Sequence, residues 1–395
     1  MLFMINQEIT VGIVGAGTMG TGIAQVAATN GHQVYVYDAF QEQLKKAEAG
    51  LQSILARQVE KGRMSQEEVD QILGRIQFVD NITMFGECGL VIEAVIEKPE
   101  IKKDVFARLE GIVKRDCILA SNTSSLSIAS ISSALKRPER FIGVHFFNPA
   151  PLMKLVEIIP GIATNPDVAE TTKALIKSWG KIIVTSKDAP GFIVNRVARP
   201  FYGEALRILE EGVADVATID WAMKEIGGFR MGPFELMDLI GHDVNYEVTS
   251  SVFKEFYFDP RFKPSFTQKR LVEAGWLGRK SKRGFYDYRE GAINPQPIKD
   301  EALGTAILNR VLTMLINEAC DAVFMNITTA EDVDLAMQNG VNYPKGLLAW
   351  ADEIGLPKVL DSMNNLHNEY QEERYRPNPL LKRMVREGRK FYEKA

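Results

Sequence analysis

Near the start of the chain, Gly15-Ala16-Gly17-Thr18-Met19-Gly20 follows an apolar run and opens an amphipathic stretch. In that strand, turn and helix context, G-x-G-x-x-G is a dinucleotide-binding fingerprint. Gly15 allows the tight turn, Gly17 lets the backbone approach a pyrophosphate, and Gly20 lets the helix pack close on the strand. The helix N-terminus, beginning at Thr18 and Met19, offers N–H groups and a positive dipole end to phosphates. Asp38 ends the second apolar run, 18 residues after Gly20. A carboxylate there accepts hydrogen bonds from the adenosine ribose and repels a 2′-phosphate, so NAD is expected rather than NADP.

Of the four histidines, His32 and His242 lie in turns and His367 in a polar helix, whereas His145 ends an apolar run, Phe141 to His145. A turn-rich segment, Phe146 to Pro151, leads to a second apolar run, Met153 to Ile159. If the two runs pair antiparallel about Pro151, residues whose numbers sum to 302 face each other, and His145 meets Glu157. A carboxylate beside an imidazole fixes its tautomer and strengthens it as a base for a hydroxyl proton. A lone histidine among aromatics also reads as a satisfied core residue. Ser121-Asn122-Thr123-Ser124-Ser125 follows another strand, at the carboxyl end where ligands collect in open α/β sheets. Those side chains suit a cofactor ribose or a substrate oxygen, and equally a helix N-cap before Leu126. Glu97 and Lys102, near a third strand end, read on their own as solvated surface charges.

The elements that must position these residues are strands at Ile9 to Val14, Gln33 to Tyr37, Leu90 to Ala94, Ile118 to Ser121 and Phe141 to His145. Their alternation with amphipathic stretches is the pattern of βαβ units on a parallel sheet. The charged helical stretch Gln41 to Leu73 is too long for a plain crossover and is expected as a projecting helical hairpin. After Ser186 to Gly191 strand signals fade and helical periodicity dominates. This second half repeats itself: Asn195-Arg196-Val197 recurs as Asn309-Arg310-Val311, Glu204-Ala205 as Glu318-Ala319 and Asp220 as Asp334, each 114 positions on. Gly232-Pro233 is echoed by Tyr343-Pro344, and Arg261 to Pro264 by Arg374 to Pro377 at an offset of 113. Shared apolar spacing alone would not match these polar and proline positions together. The expected fold is an α/β Rossmann-like N-terminal domain, residues 1–188, followed by two tandem all-α domains, 189–290 and 300–395.

The chain has 395 residues, enough for two or three domains, and a formal charge of −4, which gives no broad positive field for nucleic acid or anionic lipid. The run Arg279 to Arg283 is short and reads as a solvated loop. Three cysteines, Cys88, Cys117 and Cys320, are too far apart for a chelating pair and odd in number, which fits a reducing compartment, and no metal site is expected. The opening segment lacks a basic n-region and reads as a first strand, and no apolar run reaches the roughly 18 residues of a spanning helix. A cytoplasmic enzyme with no membrane or nucleic-acid partner is expected.

The fingerprint and Asp38, Ser121 to Ser125, His145-Phe-Phe-Asn-Pro149, Met153-Lys-Leu-Val-Glu157, Pro190-Gly-Phe-Ile-Val-Asn-Arg196 and Gly232-Pro-Phe-Glu-Leu236 together resemble the L-3-hydroxyacyl-CoA dehydrogenase family across the whole chain. That resemblance implies NAD-dependent oxidation of an (S)-3-hydroxyacyl-CoA, short-chain substrates such as 3-hydroxybutyryl-CoA being expected, to the 3-oxoacyl-CoA in β-oxidation or related acyl-CoA metabolism. It implies His145 as general base oriented by Glu157, Ser124 and Asn195 holding the reacting oxygen or the thioester carbonyl, and Glu97, Lys102 and Asn122 lining the NAD site. The hairpin around Lys45, Lys46 and Arg57 corresponds to the segment that meets CoA. Family members often carry one helical unit that pairs between chains, so the duplicated unit implies a monomer with an internal pseudo-dimer, or a homodimer. Two rivals are a dehydrogenase of a free hydroxy acid or sugar acid on the same fold, and a catalytically idle NAD-binding protein.

Overall fold

The computed structural model describes residues 9–392, so Met1 to Glu8 of the expected first-strand segment lie outside it. The chain forms two compact units, Met1–Ala189 and Pro190–Ala395.

In the first unit, eight strands form one sheet: β1 (Val11–Val14), β2 (Val34–Tyr37), β3 (Ile76–Val79), β4 (Leu90–Glu93), β5 (Ile118–Ser121), β6 (Phe141–Phe146), β7 (Leu155–Pro160) and β8 (Ile182–Thr185). Their order is β3-β2-β1-β4-β5-β6-β7-β8, parallel from β3 to β6, with β7 antiparallel to β6 and β8 parallel to β7. The chain reverses its strand order between β1 and β4, the place where open α/β sheets bind ligands. Strands β3 and β8 escaped the sequence reading, because each is a four-residue edge strand with a partly exposed pattern and no long apolar run.

Helices α1 (Thr18–Thr29), α2 (Gln41–Glu60), α3 (Gln66–Arg75), α4 (Pro99–Glu110), α5 (Ile128–Ser132) and α6 (Pro166–Ser178) complete the unit. The small residues Gly20, Ala24, Ala27 and Ala28 form the buried face of α1, letting it lie close on the sheet. Ser65 and Glu68 build a capping box that starts α3, separating it from α2 and making the expected hairpin. That hairpin does not simply project. Leu44, Ala47, Leu51, Leu55, Val69 and Ile72 join the same buried cluster as Ile13, Ile23 and Val36, because its apolar stripe needs the core of the sheet to cover it.

The second unit is helical: α7 (Val194–Val197), α8 (Arg199–Glu210), α9 (Val216–Trp221), α10 (Pro233–Ile240), α11 (His242–Glu255), α12 (Phe266–Glu273), α13 (Glu301–Phe324), α14 (Ala330–Gly340), α15 (Leu347–Ile354), α16 (Leu356–Tyr370) and α17 (Pro379–Glu387). Shifted by 114, the bounds of α10 become those of α15, and shifted by 113 the start of α12 becomes that of α17. The match of Gly232-Pro233 to Tyr343-Pro344 is corrected: Gly232 and Gly346 are the counterparts, each capping a helix so tightly against Asp220 or Asp334 that a Cβ would fall 2.3 Å from the carboxylate. Tyr343 is instead the counterpart of Phe229, 114 residues earlier.

The two copies exchange buried ion pairs. Arg196 in the first pairs with Glu318 in the second at 3.0 Å, and Arg310 in the second with Glu204 in the first at 2.6 Å. Arg261 reaches Glu318 and Tyr375 donates its hydroxyl to Glu204, so the matched Arg-aromatic turns serve the same exchange. Such reciprocity is the mark of an isologous two-fold interface, here within one chain.

Candidate active site

The fingerprint residues sit where β1 turns into α1. Gly15 has φ 105°, the left-handed region that favours glycine, and a Cβ there would lie 2.6 Å from the carbonyl oxygen of Ala94. A Cβ on Gly20 would lie 1.8 Å from the carbonyl oxygen of Gly15, so helix and turn touch only because both are glycine. Gly17 differs: a Cβ on it would meet nothing within 4 Å, which leaves its backbone facing open space at the head of α1. Thr18 and Met19 form the first turn beyond it, where N–H groups lack helical partners. Beside them, a cavity of about 640 Å³ is lined by Gly15, Gly17, Asp38, Phe40, Ile82 and Ile96, among others. Asp38 accepts the Ala16 N–H at 2.8 Å and the Phe40 N–H at 3.0 Å, which fixes its carboxylate on the cavity wall with lone pairs to spare for ribose hydroxyls. These residues fit the adenosine and pyrophosphate portions of a dinucleotide.

The reading of Lys102 as a solvated charge is corrected, whereas Glu97 is at the surface as expected, though tied into hydrogen bonds. Lys102 is 1% exposed; its ammonium lies 2.6 Å from the Glu93 carboxylate and 3.1 Å from that of Glu97. Glu93 also accepts the Val95 N–H and the Ser121 hydroxyl. Sequence reasoning passed over Glu93, although a glutamate closing the otherwise apolar run Leu90-Val91-Ile92 was the available signal. Burial pushes the Glu93 carboxyl up, against the pull of Lys102. Burial also acts to raise Glu97, but Lys102 and the donors of Thr123 and Ser124 hold it below the ordinary carboxylate range. Glu97 gathers the Thr123 hydroxyl at 2.5 Å, the Ser124 and Ser125 N–H groups and both serine hydroxyls, and so ties the loop after β5 to the loop after β4. Asn122 lends its side-chain oxygen to the Phe146 N–H at 2.8 Å, linking this loop to the end of β6. The N-cap reading does not hold: α5 starts on Ser127, which accepts the Ser130 N–H, and the Thr123 hydroxyl receives the Leu126 N–H within the loop before it.

On β6 and β7 the pairing is Val144 with Ile158 and His145 with Glu157, the register expected from symmetry about the turn. Cross-strand neighbours share a face, which brings His145 Nδ1 within 2.6 Å of Glu157 Oε2. Glu157 is fully buried and His145 nearly so, with the Phe147 ring centroid 4.4 Å from the imidazole. With the carboxylate accepting from Nδ1–H, the other ring nitrogen is the proton acceptor. Lys181 donates to the carbonyls of Ala150 and Met153 at 2.6 and 2.8 Å, pinning the turn between the two strands. Ser124 lies at the end of the next parallel strand, β5, while Asn195 is half-buried in α7 of the second unit.

Models of the 3-hydroxyacyl-CoA dehydrogenase NAD-binding domain and C-terminal domain match residues 10–189, and 191–288 with 307–394, respectively. The chain belongs to the 3-hydroxyacyl-CoA dehydrogenase family. Both helical copies fall within the C-terminal family matches. The chain is 39% identical to the 3-hydroxyadipyl-CoA dehydrogenase of Escherichia coli K12, over 96% of this chain and 98% of that one. It is 45% identical to the 3-hydroxybutyryl-CoA dehydrogenase of Bradyrhizobium diazoefficiens, over 71% of this chain and 95% of that one. A crystal structure described as 3-hydroxybutyryl-CoA dehydrogenase from Escherichia coli K12 superposes with a TM-score of 0.90 at 38% identity, covering 96% of this chain and 99% of that one. The protein is thus an NAD-dependent 3-hydroxyacyl-CoA dehydrogenase, an oxidoreductase of acyl-CoA metabolism. No described helix is long and apolar enough to cross a membrane.

Proposed function

We propose that the chain oxidises the C3 hydroxyl of a short (S)-3-hydroxyacyl-CoA, with 3-hydroxybutyryl-CoA as the simplest substrate. The observation that carries this reading is the buried His145–Glu157 pair. His145 removes the hydroxyl proton through Nε2, and Glu157 steadies the imidazolium through Nδ1–H. Ser124 and Asn195 hold the reacting oxygen or the thioester carbonyl. A bound NAD would supply the acceptor for the hydride that leaves C3. Gly15, Gly17, Thr18, Met19 and Gly20 hold its pyrophosphate, Asp38 its adenosine ribose, and Asn122 and Glu97 border the nicotinamide half. Lys102 serves that half through Glu97, because its own ammonium is enclosed between two carboxylates.

We further propose a nucleotide domain of 1–188 with helical domains 189–290 and 300–395. The internal exchange of ion pairs favours a monomer, which sedimentation would distinguish from a homodimer. A cytoplasmic setting is supported by three free, buried cysteines. A His145→Gln variant should keep NAD binding and lose turnover by a factor on the order of 10² to 10⁴. Near-normal turnover would remove His145 from the mechanism. Comparing acetoacetyl-CoA with free acetoacetate as oxidant of NADH tests the thioester requirement; equal rates would favour a free hydroxy acid instead.

A further inference from the structure

The relatives differ in the far end of the acyl chain: one is named for a hydroxybutyryl group, which ends in a methyl, and another for a hydroxyadipyl group, which ends in a carboxylate. The second unit holds a feature that discriminates between those ends. Four arginines are buried among the described residues, Arg140, Arg196, Arg199 and Arg374. Arg140 has Glu110 nearby, Arg196 has Glu318 and Arg374 has Glu372. Arg199, 7% exposed, has no carboxylate partner among the described residues: its Nη1 donates to the Thr249 hydroxyl at 3.1 Å, and its Nε has no acceptor. Around it stand the rings of Tyr202, 4.9 Å below the guanidinium, and Tyr343, whose buried hydroxyl also lacks a partner. Burial depresses the Arg199 guanidinium from its ordinary value, and the two phenols are the groups that act against this.

A buried guanidinium with no carboxylate partner keeps its full desolvation penalty unless an anion meets it. The fold does not require one here. In the second copy the counterparts of Arg199, Tyr202 and Thr249 are Thr313, Ile316 and Met363, and the same helix packing forms around them. Tyr343 likewise has Phe229 as its counterpart, which packs in the same aromatic cluster without a hydroxyl. The charge therefore belongs to the first copy's chemistry. Arg199 follows Asn195 by four residues along α7 and α8, about 6 Å of helical rise. In a six-carbon diacid, three carbon–carbon bonds of about 1.5 Å separate C3 from the terminal carboxyl carbon, a span of about 4 Å.

We propose that Arg199, with the hydroxyls of Thr249, Tyr202 and Tyr343, is the receptor for the terminal carboxylate of a 3-hydroxy dicarboxylyl-CoA substrate. The proposal rests on the reading of Asn195 as a substrate-holding residue, and it selects the carboxylate-ended chain over the methyl-ended one. A guanidinium with flanking hydroxyls matches a carboxylate in charge and in hydrogen-bond geometry.

The test is NADH oxidation by the full-length enzyme with 3-oxoadipyl-CoA and with 3-oxohexanoyl-CoA, which has the same chain length and no terminal carboxylate. The wild type should prefer 3-oxoadipyl-CoA in kcat/KM by a factor on the order of 10². Arg199→Met should collapse that ratio toward one, Arg199→Lys should retain part of it, and Tyr343→Phe, which leaves the packing intact, should lower it several-fold. A wild-type ratio near one overturns the proposal without recourse to any variant. So does an Arg199→Met enzyme that loses both substrates equally, since a structural role would leave the ratio unmoved. Turnover of neither thioester, nor of acetoacetyl-CoA, would instead refute the dehydrogenase site and carry this proposal down with it.

Discussion

The two helical copies of the second unit are built alike and equipped differently. In the first, Asp220 accepts the N–H groups of Phe234 and Glu235 at the start of α10 and the Tyr286 hydroxyl; in the second, Asp334 does the same for Leu348, Ala349 and Tyr392. Asp238 and Asp352 each fasten the segment that follows, through the N–H groups of Phe285 and Tyr286 and of Phe391 and Tyr392. The helix between them starts each time on a glycine of positive φ, Gly241 at 100° and Gly355 at 94°. These shared contacts are the ones the fold needs. Behind them the interiors diverge. The first copy buries a polar chain in which His242 meets Asp238 at 2.7 Å and Gln268 meets Asn245 at 2.9 Å. The second has Leu356, Val359 and Leu381 at the corresponding positions, all buried. The second copy keeps the caps and the exchange partners and has apolar side chains where the first is polar.

Breaking the equivalence most severely means removing one side. A chain ending at residue 300 uncovers the face of α8 that packs on α13 and takes Tyr343 from beside Phe201. It should self-associate through that face in sedimentation experiments; a folded monomer would show that the copies do not substitute for a dimer interface. The exchange itself is next. Glu318→Gln takes one of two shared carboxylates from Arg196 and Arg261, which keep Asp321, and should cost about 1–3 kcal/mol in urea unfolding. Glu204→Gln should cost a similar amount, about 1–3 kcal/mol, because Arg310 likewise keeps Glu211 as a partner. A loss on one side only would contradict this equivalence.

The smallest effect concerns the matched caps. Burial pushes the Asp220 carboxyl up to about 7, against its three hydrogen-bond donors. A carboxyl raised on folding lends stability that is fully present below its unfolded value near 4 and is lost as the pH rises through about 7. Asp220→Asn, which costs about 1 kcal/mol as a weakened cap, removes that slope. The gap between wild-type and variant urea midpoints should therefore be wider at pH 5 than at pH 8, and a constant gap would show that Asp220 does not titrate in this range. Asp334, raised by burial as well, should behave in the same sense.

Local patterns carried a large part of this molecule into view. The glycine fingerprint was legible because the conformations it requires are demanded within a few residues: a side chain on Gly15 or Gly20 would strike backbone. The His145–Glu157 pairing was legible because a short reversal between two strands determines which residues oppose each other. The duplication was legible because caps and turns sit at constant offsets, although the slip at Gly232 shows that a proline alone is a poor anchor for register. The edge strands β3 and β8 were not, since four half-exposed residues carry too little period to read.

What the order of residues determined by itself was the set of local commitments: where the chain turns, which helices start where, and which carboxylate lies across from which imidazole. Tertiary structure alone decided who shares a buried charge. Lys102 has two carboxylates, Arg196 finds its partner 122 residues away, and Arg199 has none. Burial and pairing are set by long-range packing, and packing is where an arginine on an exposed face and an arginine waiting for an anion become different things.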